Sequence, residues 1–198
     1  IVEVYWEDYL EFTPQLMKHK GAPVHSIEPQ IYKAALQARQ DGVTRLVFGE
    51  SADAIFGGLD GLMSKDWLFN EFVDRYIYVK PESVLVEPVT ILEPFEKYRI
   101  GDRIDFYKFV SEFFYVESVG SYTNALSLAN VEFIAPYVKM RLETPLDLER
   151  IRSGESKYLV KELFTKLYPG FTIPPKIPMP RAVEQWLEDW QGPEREEF

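Results

Sequence analysis

Apolar positions recur along this chain mostly at helical spacing. An amphipathic stretch runs from Trp6 to Met17 and is expected to break at Pro14, because proline removes an amide and crowds the preceding turn. The segment KHKGAPVHSIE reads as a loop carrying both histidines, His19 and His25, with no functional part for either. Pro29 stands where a first-turn proline is tolerated, and Ile31, Ala34, Ala35 and Ala38 predict a helix ending at Asp41-Gly42. The β-branched, apolar run VTRLVF then predicts a short strand. It leads straight into GESADAIFGG, where Ser51 is placed to cap a new turn and Asp53 falls inside that turn.

A further apolar stripe extends from Leu62 to Val73. YIYVKPESVLVEPVTILEPFEKY is punctuated by proline and predicts irregular chain with short extended pieces. The aromatic stripe through Phe106, Phe109, Val110, Phe113 and Phe114 predicts a helix whose stripe is core rather than a ligand box. ESKYLVKELFTKLY predicts another helix after Ser153. PGFTIPPKIPMP cannot be regular, and AVEQWLEDW and a charged tail close the chain. There is no internal repeat and no flexible inter-domain linker.

Composition narrows the classes. The 198 residues are 46% hydrophobic and include 14 Phe, 12 Tyr and 4 Trp, enough for a real core. A net charge of −10, from 22 basic and 32 acidic residues, argues against a broad nucleic-acid or anionic-membrane surface. Zero cysteines remove disulfides, thiolate nucleophiles and cysteine metal sites, and two histidines cannot complete a zinc site. No apolar run spans a bilayer, and a cysteine-free acidic chain without a signal sequence reads as cytoplasmic.

Glu50 and Asp53 lie just beyond the carboxyl end of the expected strand, where ligands gather in α/β sheets. Carboxylates beside helix-terminal N–H groups can hold a divalent ion while the amides hold phosphate, so the chemistry of a magnesium-nucleotide site is available. The plainer reading, an Asp53 that serves the helix dipole and a solvated Glu50, stands beside it. Gly57-Gly58 permits a tight helix exit and is no Walker motif. Lys157 and Lys161 are four apart on one helix face. Lys157 falls in an opening turn, where the helix dipole disfavours a cation, so the placement invites a phosphate or carboxylate partner; two solvent-facing lysines are the alternative.

GVTRLVFGESADAIFGG resembles the strand and following Ser-Gly-Glu-Gly-Ala-Asp-Glu-Leu-Phe-Gly-Gly loop of the asparagine synthetase family. Gly49, Glu50, Ala52, Asp53, Phe56, Gly57 and Gly58 match it, whereas Phe48, Ser51 and Ala54 replace Ser, Gly and Glu. ANVEFIAPYV resembles the family's Glu-Xaa-Arg-Xaa-Pro-Phe-Leu-Asp segment at Glu132 and Pro136, with Tyr137 and Val138 as conservative changes. Ile134 and Lys139 there replace Arg and Asp. ESKYLVKELFTKLYP resembles the next helix, with Lys157 on the family lysine and Lys161 on its arginine, and PPKIPMPRAVEQWL resembles the terminal segment. The likeness covers roughly residues 20–190.

The resemblance implies a partial adenine-nucleotide alpha-hydrolase-like α/β fold (the PP-loop ATPase type), mostly helical with few parallel strands. It implies one domain over 1–198, with an α/β core remnant at 1–60 and a helical lobe at 61–198. The implied activity is an ATP- and Mg2+-dependent amide ligase that activates a carboxylate, by default aspartate, as an acyl-adenylate for attack by ammonia or another amine. Glu50 and Lys157 would be catalytic; Gly49, Ser51, Ala52, Asp53 and Lys161 would bind the cofactor, with Asp53 also holding the metal. The family's Ser-Gly-Gly-Xaa-Asp-Ser phosphate loop does not occur in this sequence. The expectation is therefore a piece of a longer synthetase, inactive alone, that pairs with a missing segment, a partner chain or a second copy. The alternative is a degenerate, noncatalytic subunit.

Overall fold

A computed structural model describes residues 1–77, 79–83, 85–175, 185, 186 and 188. Helix α1 (Trp6–Lys20) is followed by α2 (Glu28–Gln40) and strand β1 (Arg45–Val47). Then come α3 (Ala52–Phe56), α4 (Asp60–Met63), α5 (Phe69–Tyr76) and α6 (Glu93–Glu96). The hairpin of β2 (Arg99–Ile100) and β3 (Arg103–Ile104) leads into α7 (Phe106–Phe109), a π-helical turn at Val110–Phe114 and α8 (Tyr115–Leu128). Strand β4 (Glu132–Ile134), a 3-10 turn at Pro136–Lys139, α9 (Leu148–Arg152) and α10 (Tyr158–Leu167) complete the order. The fold is mixed α/β and mainly helical, and the one parallel strand pair among the described residues is β1 against β4 in the register Leu46 to Phe133.

Two apolar clusters hold it together. Phe12 and Leu16 of α1, Ile31, Tyr32 and Ala35 of α2, and Ala125, Leu126 and Ala129 of α8 with its exit form the first, against which Leu46, Phe48 and Phe133 pack. The second gathers Met63, Phe72, Phe95, Phe109, Ile151 and Tyr158. Packing thus does not divide the chain at residue 60, because α8 and β4 complete the cluster begun by α1 and α2.

Several local expectations are corrected. Helix α1 runs through Pro14. The carbonyl its ring frees belongs to Leu10, which is exposed and open to water, while Phe12 and Leu16 anchor the helix on both sides of the proline. The loop consequently begins at Gly21, in the left-handed conformation at φ 70°, and His19 is helical. His19 Nδ1 lies 2.9 Å from Asn124 Oδ1, within a buried tie among α1, α2 and α8. There the fully buried Glu28 carboxylate accepts from Lys20 at 2.7 Å, the His25 amide at 2.7 Å and Asn124 Nδ2 at 2.6 Å.

The stripe from Leu62 to Val73 is two helices, α4 and α5, whose apolar faces enter the same cluster. Among the described residues 76–98 there is no strand; the regular pieces are a 3-10 turn at Pro81–Ser83 and α6. The aromatic stripe is core at Phe106, Phe109 and Val110, with Phe113 packed against it; the side chain of Phe114 lies outside the described residues. So does most of PPKIPMPRAVEQWL, although Trp186 packs edge-on against Tyr9 with ring centres 5.3 Å apart. Among the described residues no helix is long and apolar enough to cross a membrane.

Candidate functional site

The site lies where β1 and β4 end. Parallel strands bring their carboxyl ends to one edge, so the loops after Val47 and Ile134 face each other. The Phe48 amide extends the pairing by donating to the Ile134 carbonyl at 2.9 Å. Its ring is wedged against Tyr122 and Phe133, with centroids 5.0 and 5.8 Å away. This fixes the level at which Gly49 turns out of the sheet. The Gly49 carbonyl accepts from the Ala52 amide at 3.2 Å, and α3 begins.

Ser51 occupies the position before α3 but does not cap it. Capping by a side-chain oxygen goes with extended backbone, whereas Ser51 is left-handed at φ 70°, ψ −3°, and its hydroxyl accepts no amide. The three described non-glycine residues with positive φ are Ser51, Asn130 and Lys157, so two of them are site residues named by the sequence. Left-handed backbone at a side-chain-bearing residue is costly and concentrates where surrounding structure enforces it.

Lys157 immediately precedes α10, at φ 53°, and its ammonium pairs with the Asp53 carboxylate. Both groups are part-exposed, at 37% and 48%. Gly58 makes the approach feasible: a Cβ there would collide with Lys157 Cε and with the Asp53 carboxylate. Gly57, at φ 75°, lets α9 close in, since a Cβ would fall 2.5 Å from Ile151 Cδ1.

Glu50 points the other way, toward α8, where its carboxylate accepts from the Ser118 hydroxyl. Burial, and then the Glu50 charge, push the Tyr122 phenol up to about 12. Lys161 does not join Asp53 or Glu50; it is exposed and lines a groove with Tyr158, Glu155 and Glu162. Gly49 is exposed beside the Tyr137 ring, and Ala52 is part-buried within α3. Among the described residues no three His, Asp or Glu side chains converge as a metal site. Asp53 supplies a single carboxylate, which suits a Mg2+ that keeps water and phosphate as its other ligands.

Beyond Ser51 opens a cavity of about 1070 Å³. It is lined by Ser51, Ala54 and Ile55, by Tyr137, Val138, Lys139 and Arg141 from the loop after β4, and by Met63. Tyr107 and Lys108, with Val110, Ser111 and Glu112 of the π-helical turn, complete the lining together with Asp105. Such turns are rare and frequent at functional sites. Sequence reasoning passed over Ser118, Tyr122 and Lys108; the available signal was the cluster Lys139 and Arg141 in an acidic chain, beside a motif already singled out.

Comparison of the chain with family models, with curated proteins and with solved structures finds no match.

Proposed function

We propose that this chain carries the pyrophosphate-handling half of an asparagine-synthetase-like, ATP-dependent amide ligase of the PP-loop type. The observation that carries the reading is the Asp53–Lys157 pair beside Gly58 at the mouth of the parallel strands. Two charged residues singled out from widely separated motifs meet where α/β sheets bind ligands.

In the proposed reaction a substrate carboxylate oxygen attacks the α-phosphorus of ATP, and the bond to pyrophosphate breaks with its electron pair. An amine then attacks the acyl carbon, AMP departs, and the amine loses a proton. Lys157 leaves Asp53 for the pyrophosphate oxygens, matching the charge that develops there. Asp53, once released, would be the residue to hold a Mg2+, which would supply Lewis-acid stabilisation of the leaving group. Glu50, steadied by Ser118, orients the amine and takes its proton. Ser51, Gly49 and Ala52 shape the loop, and Lys161 contributes only long-range positive charge.

The test is calorimetric titration of the chain with pyrophosphate and with ATP, each with magnesium. Binding that is lost in Asp53→Asn and in Lys157→Ala, with the variants still folded, is the expected result. A second reading, a noncatalytic subunit that keeps the fold, is favoured by the missing Ser-Gly-Gly-Xaa-Asp-Ser string. Absence of any binding by the parent chain would select it.

A further inference from the structure

The cavity beyond Ser51 combines two properties. Its walls are apolar where they are deepest, through Ile55, the buried Met63 and the buried Val110. Its rim carries Lys108, Lys139 and Arg141, although the chain as a whole has a net charge of −10. None of these three cations has an ion pair among the described residues, while eleven pairs occupy other charged groups.

Of the three, Lys108 lies within the field of the Glu112 carboxylate, whereas neither Lys139 nor Arg141 has a carboxylate partner among the described residues. Glu112 is bonded to Lys97 at 2.6 Å, and Asp105 accepts from the Lys108 backbone amide at 3.0 Å as the cap of α7. Arg141 spends one nitrogen on the Met140 carbonyl at 2.7 Å, which steadies the side chain and leaves most of its donors to the cavity. A cavity of about 1070 Å³ matches or exceeds the roughly 300–1,000 Å³ of pockets that enclose drug-sized ligands. It is far roomier than a single free amino acid requires.

We infer that this cavity binds an organic acid with at least two anionic groups on an apolar or aromatic body, and that this acid, rather than aspartate, is the acceptor. The assignment as acceptor rests on the proposed reading of the Ser51 loop as the reacting site; the binding itself does not. One anionic group, the reacting carboxylate, lies at the Ser51 end of the cavity. The second meets Lys139 and Arg141, and the body lies against Ile55 and Val110.

The experiment titrates the chain, without nucleotide, with N-benzoylaspartate, with N-benzoylglycine and with aspartate. The first has two carboxylates and an aromatic body, the second loses one carboxylate, and the third loses the body. N-benzoylaspartate is expected to bind at least tenfold more tightly than either, with affinity that falls as salt is raised. Lys139→Gln should weaken it about fivefold or more while N-benzoylglycine changes less. Because the Arg141 side chain also bonds its own loop, Lys139→Gln, whose side chain has no hydrogen bond among the described residues, is the cleaner variant, and Arg141→Gln is the second. Equal binding of all three ligands, no binding, or an affinity unchanged in both variants would overturn the inference. Dianion binding without magnesium-pyrophosphate binding would instead retire the ligase reading and leave the cavity assignment standing.

Discussion

Lys157 closes on Asp53 across a gap that only a glycine at position 58 leaves open. The pair is part-exposed, so its direct worth to folding is small, about 0–1 kcal/mol. Its significance is positional, since the contact aims the ammonium at the mouth of the strand pair.

Gly58→Ala should separate the pair at modest cost, because the obstructed atoms belong to the ends of two flexible side chains. A loss of about 1 kcal/mol is expected from the urea midpoint. Gly57→Ala should cost more, about 2 kcal/mol, since it combines a left-handed backbone with a collision against Ile151 in the packed interior. Equal midpoints for the two variants would contradict this account of the double glycine.

Ser51→Gly should stabilise the protein. The serine hydroxyl caps nothing, while the residue holds a left-handed conformation that glycine adopts freely. A gain of about 0.5–1 kcal/mol in thermal or urea unfolding is expected. A loss would mean that the hydroxyl has a partner in solution.

Glu28 is a different case. Removing its carboxylate leaves Lys20 and the His25 amide without their acceptor, and Asn124 Nδ2 with only the Leu16 carbonyl, inside the tie among α1, α2 and α8. Glu28→Ala should cost about 3 kcal/mol. Glu28→Gln keeps the shape but turns an amide toward these donors and should cost about 1–3 kcal/mol. Both are read from urea denaturation, and a double variant with Asn124→Ala should lose less than the sum of the single changes.

The Tyr122 phenol supplies a pH test. Its ionisation is pushed up from 10.0 to about 12, so the folded state keeps the neutral form more firmly than the unfolded state does. Its contribution is fully present below about pH 10 and is lost as pH rises toward about 12. Tyr122→Phe should therefore flatten part of the alkaline fall in stability, measured by urea unfolding across that window. The unchanged alkaline slope of such a variant would remove Tyr122 from the account.

Local signals were legible where one residue type dictates one outcome. Pro29 marks the first turn of α2 and VTRLVF contains β1, whereas the awkward position of Lys157 left a phosphate, a carboxylate or plain solvent as its surroundings, and the structure places Asp53 there. Other features depend on contacts that no short window contains. Pro14 does not break α1 because Leu10 faces water and two buried aromatic and aliphatic anchors hold the helix. The stripe at Leu62–Val73 fits one helix or two equally well, because both present the same residues to one cluster. The left-handed backbone at Lys157 and Ser51, and the divergence of Lys161 from the site, arise from how α10 and α3 meet. Four residues apart on a helix is close in sequence, but the left-handed start of α10 turns Lys157 out of the row that Lys161 follows.

The π-helical turn at Val110–Phe114 has a mechanical consequence. It interrupts a single rod whose leading end, at Phe106 and Phe109, is embedded in one apolar cluster and whose trailing end, at Ala125 and Leu126, is embedded in the other. A π turn winds in about one residue more than an α turn, and one residue is about 100° of helical phase. That extra residue is the phase shifter of the molecule: with it removed, a rod seated correctly at its aromatic end would present the wrong flank to α2.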